Sequence, residues 1–412
     1  MNRLIVVGAG PAGLTLALQL ARGGQAVTLI DSRRDFARGL RGDALMPCGL
    51  EALARMGLWE LLERLPQRAL EGWSVWLEGR ELFRAAEPMG ALQPCRLVPQ
   101  QQLLEALLLE ALTLPAFTWM PGVAVSGLLH GERSAQGTPA AGPRVRGVRM
   151  SDGRELEADL VIGCDGRDSV VRRAAGLPLQ ALGPPLELLW LVLPQQALEG
   201  NGQPAGFLTL VAGGAIASAC RGAGGELQLG WLLEPGEATP QRSALEWAEA
   251  IAAMAPPELA DLLRRKGDQL SRPQRFTVQV GLVRRWQRPG LLLLGDAAHP
   301  MSPIRAQGIN QALRDSLVAA RELLPLTNQQ QSRNRIDQAC VRIEALRRTE
   351  IERLQALQLG VVECRQGPRR AAHQGEAVAL LQQHRHQPTA DKATATHQQD
   401  PHGPRSRQSA TG

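Results

Sequence analysis

Tyrosine is absent from this chain of 412 residues, and aromatics of all kinds make up only 3%. No tyrosine phenol is therefore on hand to donate a proton or to partner a substrate hydroxyl. Lysine is nearly missing too: only Lys266 and Lys392 occur, so the net charge of +6 rests on arginine, much of it in the C-terminal tail. Basic residues interleaved with aromatics on one face, which nucleic-acid binding demands, do not occur. The cysteines (Cys48, Cys95, Cys164, Cys220, Cys340, Cys364) form no CxxC pair and no metal-ligand spacing. That pattern excludes a disulfide scaffold and a metal centre, and reduced thiols fit a cytoplasmic setting. The longest N-terminal apolar stretch, Leu4 to Ala21, is broken by Gly-Pro-Ala-Gly and has almost no basic segment before it. A signal peptide or membrane span is thereby disfavoured. Internal repeats are lacking as well.

What is present begins with ordinary bulk numbers. Hydrophobic residues make up 44%, and the length suffices for two domains or one large elaborated one. The chemistry is carried by three short stretches far apart. The first opens the chain. Leu4-Ile5-Val6-Val7 reads as a buried parallel strand, and Leu14, Leu16, Ala17, Leu18, Leu20 and Ala21 as a helix. Between them lies Gly8-Ala9-Gly10-Pro11-Ala12-Gly13. Gly8 permits a tight strand-to-helix turn, Gly10 lets the backbone approach a pyrophosphate, and Gly13 allows close helix–sheet packing. Free N–H groups and the positive end of the helix dipole then face an anion. A second apolar run, Ala26 to Ile30, ends in Asp31, which either accepts ribose hydroxyls or simply ends a strand in solvent.

The second stretch, Leu160-Val161-Ile162-Gly163-Cys164-Asp165-Gly166, is another buried strand ending in acid and glycine, with Arg167, Ser169 and Arg172 after it. Alone it is a common strand–turn–helix. In the third, Leu291–Leu294 feeds Gly295-Asp296-Ala297-Ala298-His299-Pro300, then Ser302-Pro303 and Gln307-Gly308-Ile309-Asn310-Gln311-Ala312-Leu313-Arg314-Asp315. Small residues after an acid allow close backbone approach to a ligand, and Gly308 to Asn310 opens a helix whose N-terminus can face a flavin ring. The order and spacing of the three make FAD the most economical explanation, and with it a redox enzyme.

The fold class expected is α/β: a Rossmann-like FAD-binding domain with an inserted β-rich substrate domain and a C-terminal helix. The divisions are 1–68, 99–179 and 286–326 for the FAD-binding parts, 69–98 and 180–285 for the substrate sheet, 327–365 for the helix and 366–412 for a disordered tail. Helices are expected over Leu50–Leu65, Gln101–Leu112, Ser243–Lys266 and Arg333–Val362. The last presents Ile336, Cys340, Ile343, Leu346, Leu354, Leu357 and Val361 on roughly one side. Trp73–Phe83 and Arg144–Met150 read as strands or hairpins, residues 130–143 as a loop tip, and Leu186–Leu193, Phe207–Val211, Leu227–Leu233 and Phe276–Val283 as strands.

On these three motifs, in this order, the chain over about residues 1–325 resembles the class A flavoprotein monooxygenases. The resemblance implies that Gly8, Gly10, Pro11, Ala12, Gly13 and Asp31 hold the ADP part of FAD, with Arg41 and Gln100 (or Gln101) as further contacts. Asp165-Gly166 matches a motif with FAD and NAD(P)H roles, Gly295-Asp296 the acid on the ribityl chain, and Pro303, Gly308, Ile309 and Asn310 the isoalloxazine lining. It also implies NAD(P)H as the reductant and O₂ as co-substrate. A flavin C4a-hydroperoxide would then hydroxylate an apolar aromatic or polyprenyl compound. The chain departs from the family in having Asp31 for a usual Glu, Cys164 for a usual Ala, and Arg305 where Gly is common.

Several residues keep two readings. His299 is a general base or a local structural group, and Arg305 partners a substrate or flavin charge or turns outward. Trp190 and Trp231 line a substrate pocket or are plain core. The tail histidines (His373, His384, His386, His397, His402) are too irregularly spaced for a metal. Rival functions are a flavin-dependent reductase of isoprenoid double bonds, and a non-catalytic FAD-bearing assembly protein whose arginine-rich C-terminal helix touches a membrane surface. A halogenase would carry GWxWxIP, which Gly72-Trp73-Ser74-Val75-Trp76-Leu77 does not match.

Overall fold

The computed structural model describes residues 3–37, 43–131, 143–198, 204, 206–234, 236–303, 306–326 and 333–366, with side chains as far as 358. Arg41, Arg305, most of the 130–143 loop tip, Val361 as a side chain, and the tail beyond 366 with its histidines lie outside them.

Strand Arg3–Val7 runs parallel to Ala26–Asp31 on one side and Leu160–Gly163 on the other. Phe117–Pro121 and Leu291–Leu293 extend this sheet in parallel, and Gln287–Arg288 closes one edge antiparallel. The runs are apolar because helices and a smaller sheet cover both faces: Val6, Leu29, Leu160, Ile162 and Leu292 are completely buried. Parallel strands deliver their C-terminal ends to one edge of a sheet. Gly8, Asp31, Cys164 and the residues after Leu293 therefore emerge side by side, although the sequence keeps them far apart.

Helix Pro11–Arg22 begins with Pro at its first position, where a missing N–H costs nothing. It packs along helix Gln307–Leu323, whose Ser316 hydroxyl donates to the Ala12 carbonyl at 2.8 Å. The helix expected over Leu50–Leu65 is two helices, Pro47–Arg55 and Trp59–Glu63. Gly57 adopts φ +66° and the Leu58 N–H reaches back to the Leu53 carbonyl at 2.9 Å, an αL helix end that leucine periodicity does not reveal.

The second large sheet has seven strands in the order Gln274–Val278, Leu186–Leu193, Leu227–Leu233, Ala215–Arg221, Phe207–Ala212, Gly72–Leu77, Arg80–Ala86. All neighbours are antiparallel except Phe207–Ala212 against Gly72–Leu77. Side chains alternate across it. Leu189, Leu191, Leu227, Leu229 and Trp231 pack beneath helices Ala244–Ala252 and Pro257–Lys266, each buried leucine worth about 1.5–3 kcal/mol. The alternate residues Leu188, Trp190, Gln228 and Leu232 face a cleft instead. Strand Ala215–Arg221 escaped the sequence reading because Ala217, Ser218 and Ala219 blur its alternation. Ser243–Lys266 is likewise two helices: a Ser243–Glu246 capping box opens the first and Pro256-Pro257 the second. Phe276–Val283 divides between sheets, since Gly281–Val283 pairs with Leu179–Ala181.

The long helix runs from Arg333 to Gln366, somewhat past the expected end. Ile336, Cys340 and Ile343 bury in the first sheet's outer core, and Ile351 in the core on its other face. Leu346, expected on the packed side, is 49% exposed, while Arg347, Gln355 and Gln358 are buried. The helix is thus pinned by polar groups in its middle, with Ile336, Cys340, Ile343 and Ile351 packed against the body. No helix among the described residues is long and apolar enough to cross a membrane.

Candidate FAD and substrate cleft

The three motifs touch. Gly8 sits at φ +100°, and a Cβ there would lie 2.4 Å from the Cys164 carbonyl oxygen. Its N–H donates to the Ile30 carbonyl and the Cys164 N–H to the Val7 carbonyl, both at 2.7 Å. Gly13 is equally confined: a Cβ would meet the Gly8 oxygen at 2.0 Å. Gly10 differs, since a Cβ there would meet nothing within 4 Å. The gap opens onto a cleft of about 3480 Å³, well above the roughly 300–1,000 Å³ of a drug-sized pocket. Gly8, Gly10, Pro11, Ala12, Asp31, Gln100, Asp165, Gly166, Gly295, Asp296, Pro303, Gly308 and Ile309 all line this cleft.

Two helices start at its wall without a side-chain cap, Pro11–Arg22 after Gly10 and Gln307–Leu323 after Ala306. Their first-turn N–H groups are satisfied by no side-chain cap, and the dipole ends favour an anion. Space at Gly10 beside an uncapped helix start fits a diphosphate, and the cleft's length fits a dinucleotide. Asp31 is 8% exposed. Its carboxylate accepts the Ala9 N–H at 2.7 Å and the Arg33 N–H at 2.8 Å, so it braces the glycine turn from behind.

Other expected site residues also hold the framework of the cleft together. The Asp165 carboxylate accepts from the Ser169 hydroxyl and from the Val171 N–H at 3.0 Å, capping the short helix Val170–Ala174. Asp296 lies 3.7 Å from Arg167, whose guanidinium also donates to the Thr277 carbonyl at 3.2 Å. That arginine ties the third motif to the seven-stranded sheet. Asn310 is fully buried and is not among the residues that line this cleft. Its amide accepts the Met46 N–H at 2.9 Å and donates to the Ala44 carbonyl at 3.0 Å, clipping helix Pro47–Arg55 in place.

His299 stands behind the wall, 1% exposed, with Nε2 2.7 Å from Asp315 and its ring against Trp286. Asp315 also accepts the Gly295 N–H and the Arg347 Nε–H, each at 2.8 Å. Burial would raise the Asp315 carboxyl, yet His299 and Arg347 outweigh it and hold it at about 2. Arg347 continues to Gln311 at 2.6 Å and to Glu350. The long helix therefore reaches the backbone of the Gly295 motif through one buried carboxylate. Sequence reading carried its third stretch as far as Asp315 without giving that acid a role, and missed Arg347; a lone arginine on a separate helix carries no local signal.

Across the cleft stands the open face of the seven-stranded sheet, with Trp73, Leu188, Trp190, Phe207, Ile216 and Leu232 on the wall. Trp231 contributes to the wall but is mostly core, edge-on to Trp247 at 5.5 Å. Among the polar residues of the cleft is Asp43, which sequence reading also missed. It accepts the Gln100 N–H at 3.2 Å and the Gln228 amide at 3.3 Å.

Comparison with known proteins follows the same lines. Residues 2–348 match a family model described as an FAD binding domain. The chain is 35% identical over 322 residues to 6-methylpretetramide 4-monooxygenase of Streptomyces rimosus, covering 76% of this chain and 73% of that one. It is 31% identical over 344 residues to ubiquinone hydroxylase UbiL of Rhodospirillum rubrum, covering 78% and 72%. In fold it is similar to PqsL of Pseudomonas aeruginosa, with TM-score 0.75, 20% identity, and 91% and 99% of the two chains covered. 2-Methyl-3-hydroxypyridine-5-carboxylic acid oxygenase is another such neighbour, with TM-score 0.70, 22% identity, and 87% and 90% covered.

Proposed function

Since the chain belongs to the FAD-binding-domain family of flavoprotein monooxygenases, and is an FAD-dependent enzyme of that kind, we propose that it hydroxylates an apolar aromatic small molecule using NAD(P)H and O₂. The observation that carries the substrate class is the cleft wall formed by Trp73, Leu188, Trp190, Phe207 and Ile216, directly opposite the motifs that grip the cofactor. Such a wall favours an aromatic or polyprenyl body and keeps bulk water away. When bound, reduced flavin supplies the activation of dioxygen.

The chain's own residues do the rest. Gly10 and the first turns of helices Pro11–Arg22 and Gln307–Leu323 would hold the anionic and electron-rich parts of the cofactor through free backbone N–H groups, and Asp31 would take the ribose side. Gln100, Asp165-Gly166, Gly295-Asp296, Pro303, Gly308 and Ile309 complete the lining, with Gly13, His299 and Asn310 as positioning residues. In this reading residues 69–98 and 180–285 form the substrate unit, and the rest of the body to 326 the FAD unit. The buried, unpaired thiols of Cys95, Cys164, Cys220 and Cys340 support a reducing, cytoplasmic setting.

The double-bond reductase and the non-catalytic carrier lose ground because the relatives above are named monooxygenase or hydroxylase. The test is turnover of the FAD-loaded chain with NADH or NADPH and aromatic candidates under isotope-labelled dioxygen. Labelled oxygen in the product is the expected result. Nicotinamide oxidation that yields a reduced, unlabelled product overturns the proposal.

A further inference from the structure

Arg68 is a charged residue without a counterpart. Its short strand, Arg68–Ala69, pairs with Arg96–Leu97 in a small three-stranded sheet. The Arg68 Nε–H is buried and meets no acceptor. Among the described residues its side chain makes neither a hydrogen bond nor an ion pair. Arg96 on the facing strand shows the usual arrangement: its guanidinium donates to Glu63 at 2.9 Å, Gln67 at 2.8 Å and Gln93 at 3.1 Å. Arginine keeps its charge at any working pH, so an unmatched buried donor on it is costly. Such donors are rare in folded chains and mark places where a bound ion can supply the acceptor.

A second guanidinium stands beside the first. Leu70, two residues after Arg68, packs with Trp73 and Phe207. Phe207 opens the strand that runs antiparallel to Ala215–Arg221, with Leu208 opposite Ala219, so it lies at the Arg221 end. The Arg221 Nε–H donates to the Gly225 carbonyl at 3.3 Å, and among the described residues Arg221 is in no ion pair. Burial and then the charge of Arg68 hold the Arg221 guanidinium below the usual arginine value, with Glu226 opposing. The acids nearby are taken: Glu226 accepts the Gln228 amide at 2.7 Å, and Asp43 accepts the Gln100 N–H and the same amide. Neither arginine is among the residues that line the flavin cleft, although Cys220, next to Arg221, is. Two like charges therefore sit together behind the cleft wall, each with donors to spare.

We propose that Arg68 and Arg221 form an oxyanion site outside the flavin cleft, and that it takes a phosphate group. Two permanent positive charges suit a group that carries close to two negative ones at neutral pH, and guanidinium forks match phosphate oxygens in pairs. A carboxylate brings half that charge. The phosphate is either the free ion or a phosphate of a nicotinamide dinucleotide, which present the same chemistry to the two arginines. The site goes beyond the hydroxylase reading and stands without it.

The test is calorimetric titration of the full, FAD-loaded chain with inorganic phosphate at constant ionic strength, so that FAD already fills the diphosphate position of the cleft. One saturable site filling at millimolar phosphate or below is expected, with acetate at least tenfold weaker. R68Q and R221Q should each weaken phosphate binding at least tenfold, whereas R265Q, on an exposed arginine of another helix, should not change it. Circular dichroism and flavin absorbance confirm that each variant folds and loads. Competition separates the two sources: displacement of phosphate by NADP⁺ but not NAD⁺ assigns the site to the 2′-phosphate, displacement by both to the diphosphate, and displacement by neither to the free ion. Three results overturn the inference: no saturable phosphate binding at tens of millimolar, undiminished binding in R68Q, or an equal loss in R265Q. Each of these leaves the monooxygenase assignment where it stood, since that rests on labelled oxygen in the product.

Discussion

Among the glycines of the opening turn, confinement differs sharply and so does the expected cost of adding a methyl group. At Gly13 a Cβ has the Gly8 oxygen 2.0 Å away, so Gly13→Ala should destabilise the fold by more than about 2 kcal/mol, read as a lowered denaturant midpoint. Gly10 has open space and an ordinary φ of −75°, so Gly10→Ala should fold as wild type yet bind FAD at least tenfold more weakly. Equal effects of the two substitutions on stability would contradict this division of labour. Asp43 adds a third expectation. Its pKa is raised from the ordinary 3.8 to about 6, so the folded state holds a proton the unfolded chain releases, and stability falls as pH rises through that interval. D43N should therefore raise the melting temperature at pH 7, by a free energy of order 2 kcal/mol, and leave it nearly unchanged at pH 4. The positive φ of Gly8 and the confinement of Gly13 by the Gly8 oxygen were legible in the sequence, because both are set within one strand–turn–helix. Asp43 was not, because its partner Gln228 lies 185 positions away.

Breaks within elements were the harder reading at the next scale up. Apolar periodicity found Leu50–Leu65 and Ser243–Lys266 but ran through Gly57 and Pro256-Pro257, where the backbone ends one helix and starts another. The same periodicity placed Leu346 inward, whereas the middle of the long helix is governed by Arg347 and its buried acid partner. That contact is specific to the pair: Arg347 and Asp315 are 1% and 0% exposed. Arg347→Met leaves a buried carboxylate with too few donors, and should cost about 3–5 kcal/mol in thermal or urea unfolding. Asp315, held at about 2, contributes stability that is present above its ordinary value of 3.8 and lost as pH falls through about 2. The Arg347→Met variant should thus begin acid unfolding at higher pH than wild type. Identical acid midpoints would remove the link between the long helix and the Gly295 turn.

At the scale of the whole molecule, two sheets of opposite habit face one another. The parallel sheet gathers its strand ends at one edge, which brings together three turns separated by more than a hundred residues. The antiparallel sheet turns one face to its own helices and leaves the other open. The first arrangement could be anticipated from strand order, since parallel strands share a direction. The open face could not, because alternating leucines look alike whether a helix or a ligand covers them. The account as a whole depends on the three turns acting as one cofactor grip. The most direct measurement is equilibrium titration of the flavin-stripped full chain with FAD, followed by absorbance and fluorescence. A single saturable site filling at micromolar FAD or below is predicted; a chain that stays colourless and takes up no FAD under those conditions contradicts it.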